Sequence, residues 1–335
     1  MASYFKYIVE RGIIYILSIY ISLTIVFIVP RLIPGNPLDA VLQQLANMGA
    51  SVGAEDLIRE YEKIFGLNED IFTQYVKFLR EVLKGNLGYS ISRFPSTVSE
   101  VLARALPWSI GLLTMTTIIS WTLGTVLGAI AGWKGESSAF SKLFGPAALL
   151  MYITPYYIFA ILLLFAFSYH FRIFPSSGGY TPGAEARLDL KFLVDVAYHS
   201  ALPALSIVLS SLGWWFLSMR SMMVTVKGED YILMAFAKGL REKLIIWRYA
   251  FRNAILPQVT GLAISLSRVV GGALLTEVIF AYPGIGWVIY DAITSKDYPL
   301  IQGGVLVIIL AVATANFVID TLYPLVDPRI RYRSE

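Results

Sequence analysis

Residues 220–257 read RSMMVTVKGEDYILMAFAKGLREKLIIWRYAFRNAILP, and the character of the chain turns on this stretch. Glu229 and Asp230 head an apolar run, where acidic groups favour a helix N-terminus by about 0.3–1 kcal/mol. Gly239 interrupts the run. A second amphipathic stretch, Arg241 to Phe251, then leads into Leu256-Pro257. The pattern predicts a helix, a glycine corner and a second helix. A segment that merely joined its neighbours could be shorter and would not need Ile232, Phe236, Leu244, Ile245 and Trp247. Two physical readings fit it. One is an interfacial helix lying on anionic lipid. The other is a docking element, with Ala235, Ala237 and Gly239 small enough to approach a partner's groove closely.

The segments on either side are apolar enough to cross a bilayer, which takes about twenty residues as a helix. Working outward gives Ser200–Met219 and Gln258–Ala281, then Leu143–Ser168, Ser109–Ala131, Ile301–Leu322 and Gly12–Val29, six candidate spans in all. The first follows Lys6 and Arg11 and runs into Pro30-Arg31-Leu32-Ile33-Pro34 with no small-residue cleavage site, so it reads as a retained span. Pro146 and Pro155 fall in the third, and a kink is expected at Pro155. Gly124, Gly128 and Gly132 form a small-residue stripe in the second, which reads as plain helix packing.

Composition agrees. Of the 335 residues 56% are hydrophobic and 15% charged, against about 25% charged in soluble domains, and the mean hydropathy is +0.65. The absence of cysteine excludes disulfides, thiolate metal sites and cysteine nucleophiles. Two histidines, His170 and His199, are too few for most imidazole metal sites. The net charge of +4 is a matter of topology and does not indicate nucleic-acid binding. With the N-terminus inside, the inner segments hold 14 lysines and arginines and the two short outer loops hold 4. This bias puts both termini in the cytoplasm. In the long outer loop, Glu55–Phe65 and Asp70–Leu83 read as short amphipathic helices capped by Gly66 and Gly85. Their apolar faces require cover from the membrane surface, another subunit or each other.

Motifs for self-contained chemistry are missing. The chain has no Gly-Lys-Ser or Gly-Lys-Thr phosphate loop, no H-E-x-x-H and no G-x-S-x-G.

The segment from Glu229-Asp230-Tyr231 through Ala237-Lys238-Gly239-Leu240 to Asn253-Ala254-Ile255-Leu256-Pro257 resembles the EAA loop of binding-protein-dependent ABC importer permeases. Its long glycine-to-proline spacing is similar to that of the dipeptide, oligopeptide and nickel branch. Leu32-Ile33-Pro34-Gly35-Asn36-Pro37, Gly85-Asn86-Leu87-Gly88-Tyr89-Ser90, Phe174-Pro175-Ser176-Ser177-Gly178, Glu277 to Gly286 and Asp327 to Tyr332 extend the likeness along the chain in the family's order. The core triplet departs at its first position, reading Ala235-Phe236-Ala237. The resemblance implies an all-α membrane protein with six transmembrane helices, the type I ABC importer permease fold. It divides the chain into an N-terminal span (1–30), an extracytoplasmic loop with short helices (31–108), a permease core (109–324) containing a cytoplasmic coupling loop (220–254), and a cytoplasmic tail (325–335).

On this resemblance the chain is a multi-pass subunit of the cytoplasmic membrane and lines half of a pathway for peptides, with oligosaccharides or nickel as alternative cargo. Expected partners are a second homologous permease, two ABC ATPase subunits, an extracytoplasmic solute-binding protein and the lipid bilayer. ATP and magnesium belong to the ATPases, and no cofactor or metal is expected on this chain. The residues expected to couple to the ATPase are Glu229, Asp230, Ala235, Ala237, Lys238, Gly239, Leu240, Asn253 and Pro257. By physics alone, a secondary transporter or a membrane anchor without its own pathway are the alternatives.

Four polar residues within the spans are pathway candidates: Arg268, Glu277, Asn316 and Asp320. A basic side chain at the depth of Arg268 costs about 2.5–3.5 kcal/mol on insertion scales, so it should face the bundle interior or water. Its charge departs from the family pattern. Glu277 lies nine residues on, about 13 Å along a helix, too far for a direct pair. Structural pairing and a place on the route both fit these residues.

Overall fold

The computed structural model describes residues 2–32, 68–184, 189–267, 269 and 273–326. The elements are α1 (Ala2–Arg31), α2 (Ile71–Leu83), α3 (Val98–Lys134), α4 (Ala139–Ile153) and α5 (Tyr156–Leu163), which continues as a π-helix (Leu164–His170). After them come α6 (Leu190–Lys227), α7 (Asp230–Ala237), α8 (Glu242–Leu244), a second π-helix (Ile245–Ala250) and α9 (Phe251–Ala254). The chain continues through α10 (Leu256–Ser267), α11 (Leu274–Ile279), α12 (Ile285–Thr294) and α13 (Tyr298–Val326). Among the described residues the only extended pairing is an isolated bridge between Tyr89 and Thr97.

The fold is all-α, as expected, but the spans are not six continuous helices. Among the described residues four helices are long and apolar enough to cross a membrane, and a bent pair, Ala139–Ile153 with Tyr156–His170, makes a fifth span if counted as one. The expected span Gln258–Ala281 is divided instead between α10 and α11, of 12 and 6 residues. A 12-residue helix reaches about 18 Å, short of a hydrocarbon core of about 30 Å. Between them Arg268 and residues 270–272 lie outside the described residues, as do the expected helix Glu55–Phe65 and its cap Gly66.

The kink at Pro155 is a break of 101°. Proline disfavours the α conformation of the residue before it, and Thr154 is accordingly extended, at φ −87° and ψ 118°. The Thr154 carbonyl left open at the break accepts a hydrogen bond of 3.1 Å from Ser210 Oγ on α6.

Two compact units emerge, residues 1–108 with 284–335 and residues 109–283. In the first, the start of α3 is fixed by a capping box. Thr97 N–H donates to Glu100 Oε2 at 3.1 Å and Glu100 N–H to Thr97 Oγ1 at 3.2 Å. Val98, Leu102 and Ala105 then bury against Ile285 and Ile289 of α12 and Leu300 of α13. Asp297 is fully buried just before α13. Its Oδ1 caps Leu300 N–H at 3.0 Å, and its Oδ2 accepts from Ser90 Oγ and from Ser92 N–H and Oγ. One carboxylate thus holds the loop before α3 onto the start of α13.

The expected outer-loop helix at 70–83 is present as α2. Asp70 caps it by accepting from Thr73 N–H at 3.0 Å and Thr73 Oγ1 at 2.6 Å. At its other end Gly85 N–H donates to Val82 O and Asn86 N–H to Glu81 O, the paired bonds of a Schellman motif, with Gly85 at φ +76°. The bonds from Thr73, side chain first and backbone second, hold the Asp70 carboxyl below its ordinary value. A carboxylate depressed in the folded state contributes stability above its unfolded value, near 3.9, and loses it as pH falls through the folded value. The protection of first-turn amides of α2 against exchange, relative to an unstructured chain at the same pH, should therefore fall below about pH 4, and in Asp70→Ala it should be low at every pH.

In the second unit α6 runs beside both α3 and α4. A Cβ on Gly124, Gly128 or Gly132 would fall 2.5, 2.4 and 2.6 Å from Trp215 Cβ, Phe216 O and Arg220 O respectively. A Cβ on Gly213 would fall 2.4 Å from Ala148 O and 2.5 Å from Tyr152 N. The glycine stripe is a packing device, and α6 supplies a further glycine of the same kind.

Candidate functional site

Short helices in the second unit carry the stretch 229–257. Along α7, Ile232 and Ala235, three residues apart, share one face and are buried against Trp133 of α3, Met219 and Met223 of α6, and Ile245 and Ala254. The opposite face is apolar and open. Leu233 and Met234 are 60% and 61% exposed there, while Phe236, 45% exposed, stands at the edge of the buried face. An eight-residue helix is too short to hold itself together in water. It is fixed here by its buried face, while the open face is left free of the protein's own core.

Gly239 ends α7 at φ +69°. Its N–H donates to Phe236 O at 2.9 Å and that of Leu240 to Ala235 O at 3.3 Å, a second Schellman motif. Leu240 packs back onto the cluster that buries Ala235. A Cβ on Gly239 would meet nothing within 4 Å, so the demand for glycine is conformational.

Several long-range contacts hold α7 and its neighbours. Trp133 Nε1 donates to Glu242 Oε1 at 2.8 Å, its ring stacks on Phe236 at 6.1 Å, and Lys227 Nζ donates to the Trp133 carbonyl at 2.7 Å. Asn253 Nδ2 donates to Tyr231 Oη at 3.0 Å and to Tyr249 O at 2.9 Å. Of the residues read as coupling elements, Ala235 is buried and Leu240 half-buried, while Glu229, Asp230, Ala237, Lys238, Gly239, Asn253 and Pro257 are exposed. Asn253 and Leu240 are thereby brought against α7, and Pro257 sits in the first turn of α10. The second amphipathic stretch is α8, a π-helix and α9 in succession. Sequence reasoning missed Trp133 and Glu242, 109 positions apart, and neither carries a local signal for the pairing. The Thr97-Val98-Ser99-Glu100 box was legible, as the capping pattern T-x-x-E, and would have moved the start of α3.

The pathway candidates fall in different places. Glu277 on α11 is fully buried and accepts 2.7 Å from Ser109 Oγ. The Tyr282 hydroxyl, five residues on, is 3.0 Å from Ser200 Oγ. In the other unit, Asp320 on α13 forms an ion pair of 3.2 Å with Arg11 of α1, and its carbonyl accepts from Tyr7 Oη at 3.1 Å. Asn316, one turn earlier, shares a cavity of about 470 Å³ with Arg11, Ser18, Ser22 and Asp320. Arg268 lies outside the described residues. Among the described residues no group of histidine, aspartate and glutamate could hold a metal ion.

Comparison with known proteins bears on all of these features together. Residues 124–332 match the family described as binding-protein-dependent transport system inner membrane component. The chain is 33% identical over 316 residues to a protein of Brucella suis biovar 1 that carries a peptide permease name, covering 94% of this chain and 96% of that one. It is 31% identical to the di/tripeptide transport system permease protein DppB of Pseudomonas aeruginosa, over 92% and 93% of the two chains. With the oligopeptide transport system permease protein AppB of Bacillus subtilis it shares 29% over 97% and 99%. The matched region contains the two-faced α7 and its glycine cap, and the chain belongs to the family of binding-protein-dependent transport system inner membrane components.

Proposed function

We propose that this multi-pass membrane protein lines half of a peptide pathway in an ATP-driven importer, with the energy supplied by other chains. The observation that carries the reading is α7, fixed by its buried face and offering Leu233 and Met234 to a partner. Apolar side chains that are exposed and rigidly held suit the groove of a soluble subunit. Two ABC ATPase subunits, which bind ATP and magnesium, seat there, and the chain itself binds no cofactor. A second homologous permease completes the pathway, and a solute-binding protein delivers cargo on the far side. The excess of lysine and arginine in the segments assigned to the inside supports cytoplasmic termini. Peptide cargo is favoured because the relatives of P. aeruginosa and B. subtilis are named for di/tripeptide and oligopeptide transport.

Mechanistically, closure of the ATPases around ATP shifts the permease between its two states only if they bind one state better. Residues 229–257 transmit that preference, because α7 shares its core with α3 and α6. Arg268, Glu277, Asn316 and Asp320 are proposed to line or brace the route. Glu277 and Asp320 brace it through Ser109 and Arg11, and Asn316 faces it.

Substitution at Gly239 tests the reading. A residue with a Cβ at φ +69° is strained by about 1–2 kcal/mol, which loosens the corner without touching the open face of α7. In the assembled complex, Gly239→Val should retain ATPase turnover while peptide uptake per ATP falls about 5–30-fold. Uptake unchanged in Gly239→Val, or an uptake driven by an ion gradient without ATP, would overturn the proposal.

A further inference from the structure

Helix α2 has more apolar surface than the protein covers. Tyr75 and Phe78 lie on Phe27 of α1 with ring centroids 5.1 and 5.5 Å away. Gln74 Oε1 accepts from Arg31 Nη2 at 2.8 Å. These contacts use one face of the helix. Next to it stand Phe72, Val76, Leu79 and Leu83, spaced i, i+4, i+7 and i+11 and therefore stacked in a row. Phe72, Val76 and Leu83 are 74%, 46% and 88% exposed, Leu79 is half-buried, and Ile71 at the start of the helix is also exposed.

The depth at which α2 sits decides what meets that row. Tyr75 Oη lies 2.6 Å from Thr24 Oγ1. Thr24 is within the span Tyr7–Arg31, seven residues before its end, or about 10 Å along the axis. The α1 contact row Thr24, Phe27 and Arg31 is flanked by Ile21, Ile25, Ile28 and Leu32, all exposed and spaced as one row. Beside a span of this composition such a row faces acyl chains. The third face of α2 carries Lys77, Arg80 and Lys84, again one row and all exposed, as expected of a helix whose polar side meets phospholipid headgroups.

We infer that α2 is embedded in the membrane leaflet at the C-terminal end of α1, with Phe72, Val76, Leu79 and Leu83 in the acyl region and Lys77, Arg80 and Lys84 at the headgroups. The helix is then a lipid anchor for the segment between the first two spans, and its uncovered row is not a protein-docking face.

Because the chain has no native cysteine, single spin labels can be placed directly. Phe72→Cys, Leu83→Cys and Lys77→Cys are made in the full chain and reconstituted in vesicles of phosphatidylethanolamine and phosphatidylglycerol. The first two positions are exposed, so the changes leave the core intact. Accessibility to oxygen should exceed that to a water-soluble nickel chelate several-fold at positions 72 and 83, with the order reversed at 77. Equal chelate access at all three would overturn the inference. So would protection of 72 and 83 that appears only when a cognate solute-binding protein is added, since the row would then be that protein's seat.

Discussion

Met234→Asp is expected to weaken the association of the permease with its ATPase subunits by about a hundredfold, equivalent to about 2.7 kcal/mol, and to abolish ATP-driven uptake. Met234 is 61% exposed on the open face of α7. In the free permease its replacement faces water and costs little. In the proposed complex the carboxylate would be desolvated at an apolar seat. Truncating or mismatching a buried charge at an interface costs about 2–5 kcal/mol. The effect therefore falls on binding, and the isolated permease should melt at the wild-type temperature. Affinity measured with the purified ATPases, together with thermal unfolding of the permease alone, separates the two. Wild-type affinity in Met234→Asp would remove the open face of α7 from the ATPase contact and undercut the proposed coupling route.

The same stretch shows what a sequence gives away and what it withholds. Local rules place α7 and its glycine corner, because acidic N-terminal residues, an apolar run and a positive-φ glycine are all read within a dozen positions. They also place the break at Pro155, since proline acts on its immediate neighbour. The packing partners are a different matter. Trp133 meets Glu242, Ser109 meets Glu277 and Arg11 meets Asp320 across 109, 168 and 309 positions. Periodicity cannot specify such pairs, since each residue alone looks like a flank or a stray polar group. Arg11 reads as a topology signal from its position before an apolar run, yet it also neutralises a carboxylate that would otherwise be costly at a span's end. Hydropathy fails in another way over 258–281. A mean over about twenty residues responds to composition and is blind to interruption, so α10 and α11 read as one span.

The second large effect is expected at the α3–α6–α4 contact. Gly128→Ala and Gly213→Ala should each destabilise the permease by about 1–3 kcal/mol, the usual range for an overpacked core. Larger side chains at either position should prevent folding. The new methyl would meet Phe216 O at 2.4 Å in the first case and Ala148 O at 2.4 Å in the second. Both obstacles are main chain and have no rotamer to retreat into, so whole helices must separate. In lipid, where helices associate through close packing more than through the hydrophobic effect, losing that approach removes much of the attraction as well. The stripe also supports the proposed coupling surface, because Met219 and Met223 of α6 belong to the core beneath α7. Displacing α6 should therefore loosen α7 too and reduce ATPase binding in proportion to the loss of stability. Gly111 supplies the control, lying on the same helix with nothing within 4 Å of a built Cβ. Gly111→Ala should be neutral or stabilising by up to about 1 kcal/mol, since alanine is the better helix former. Thermal unfolding in detergent compares the three variants directly. Equal melting of Gly128→Ala and Gly111→Ala would mean that α3 and α6 are not in backbone contact, and the packing described for the second unit would be wrong.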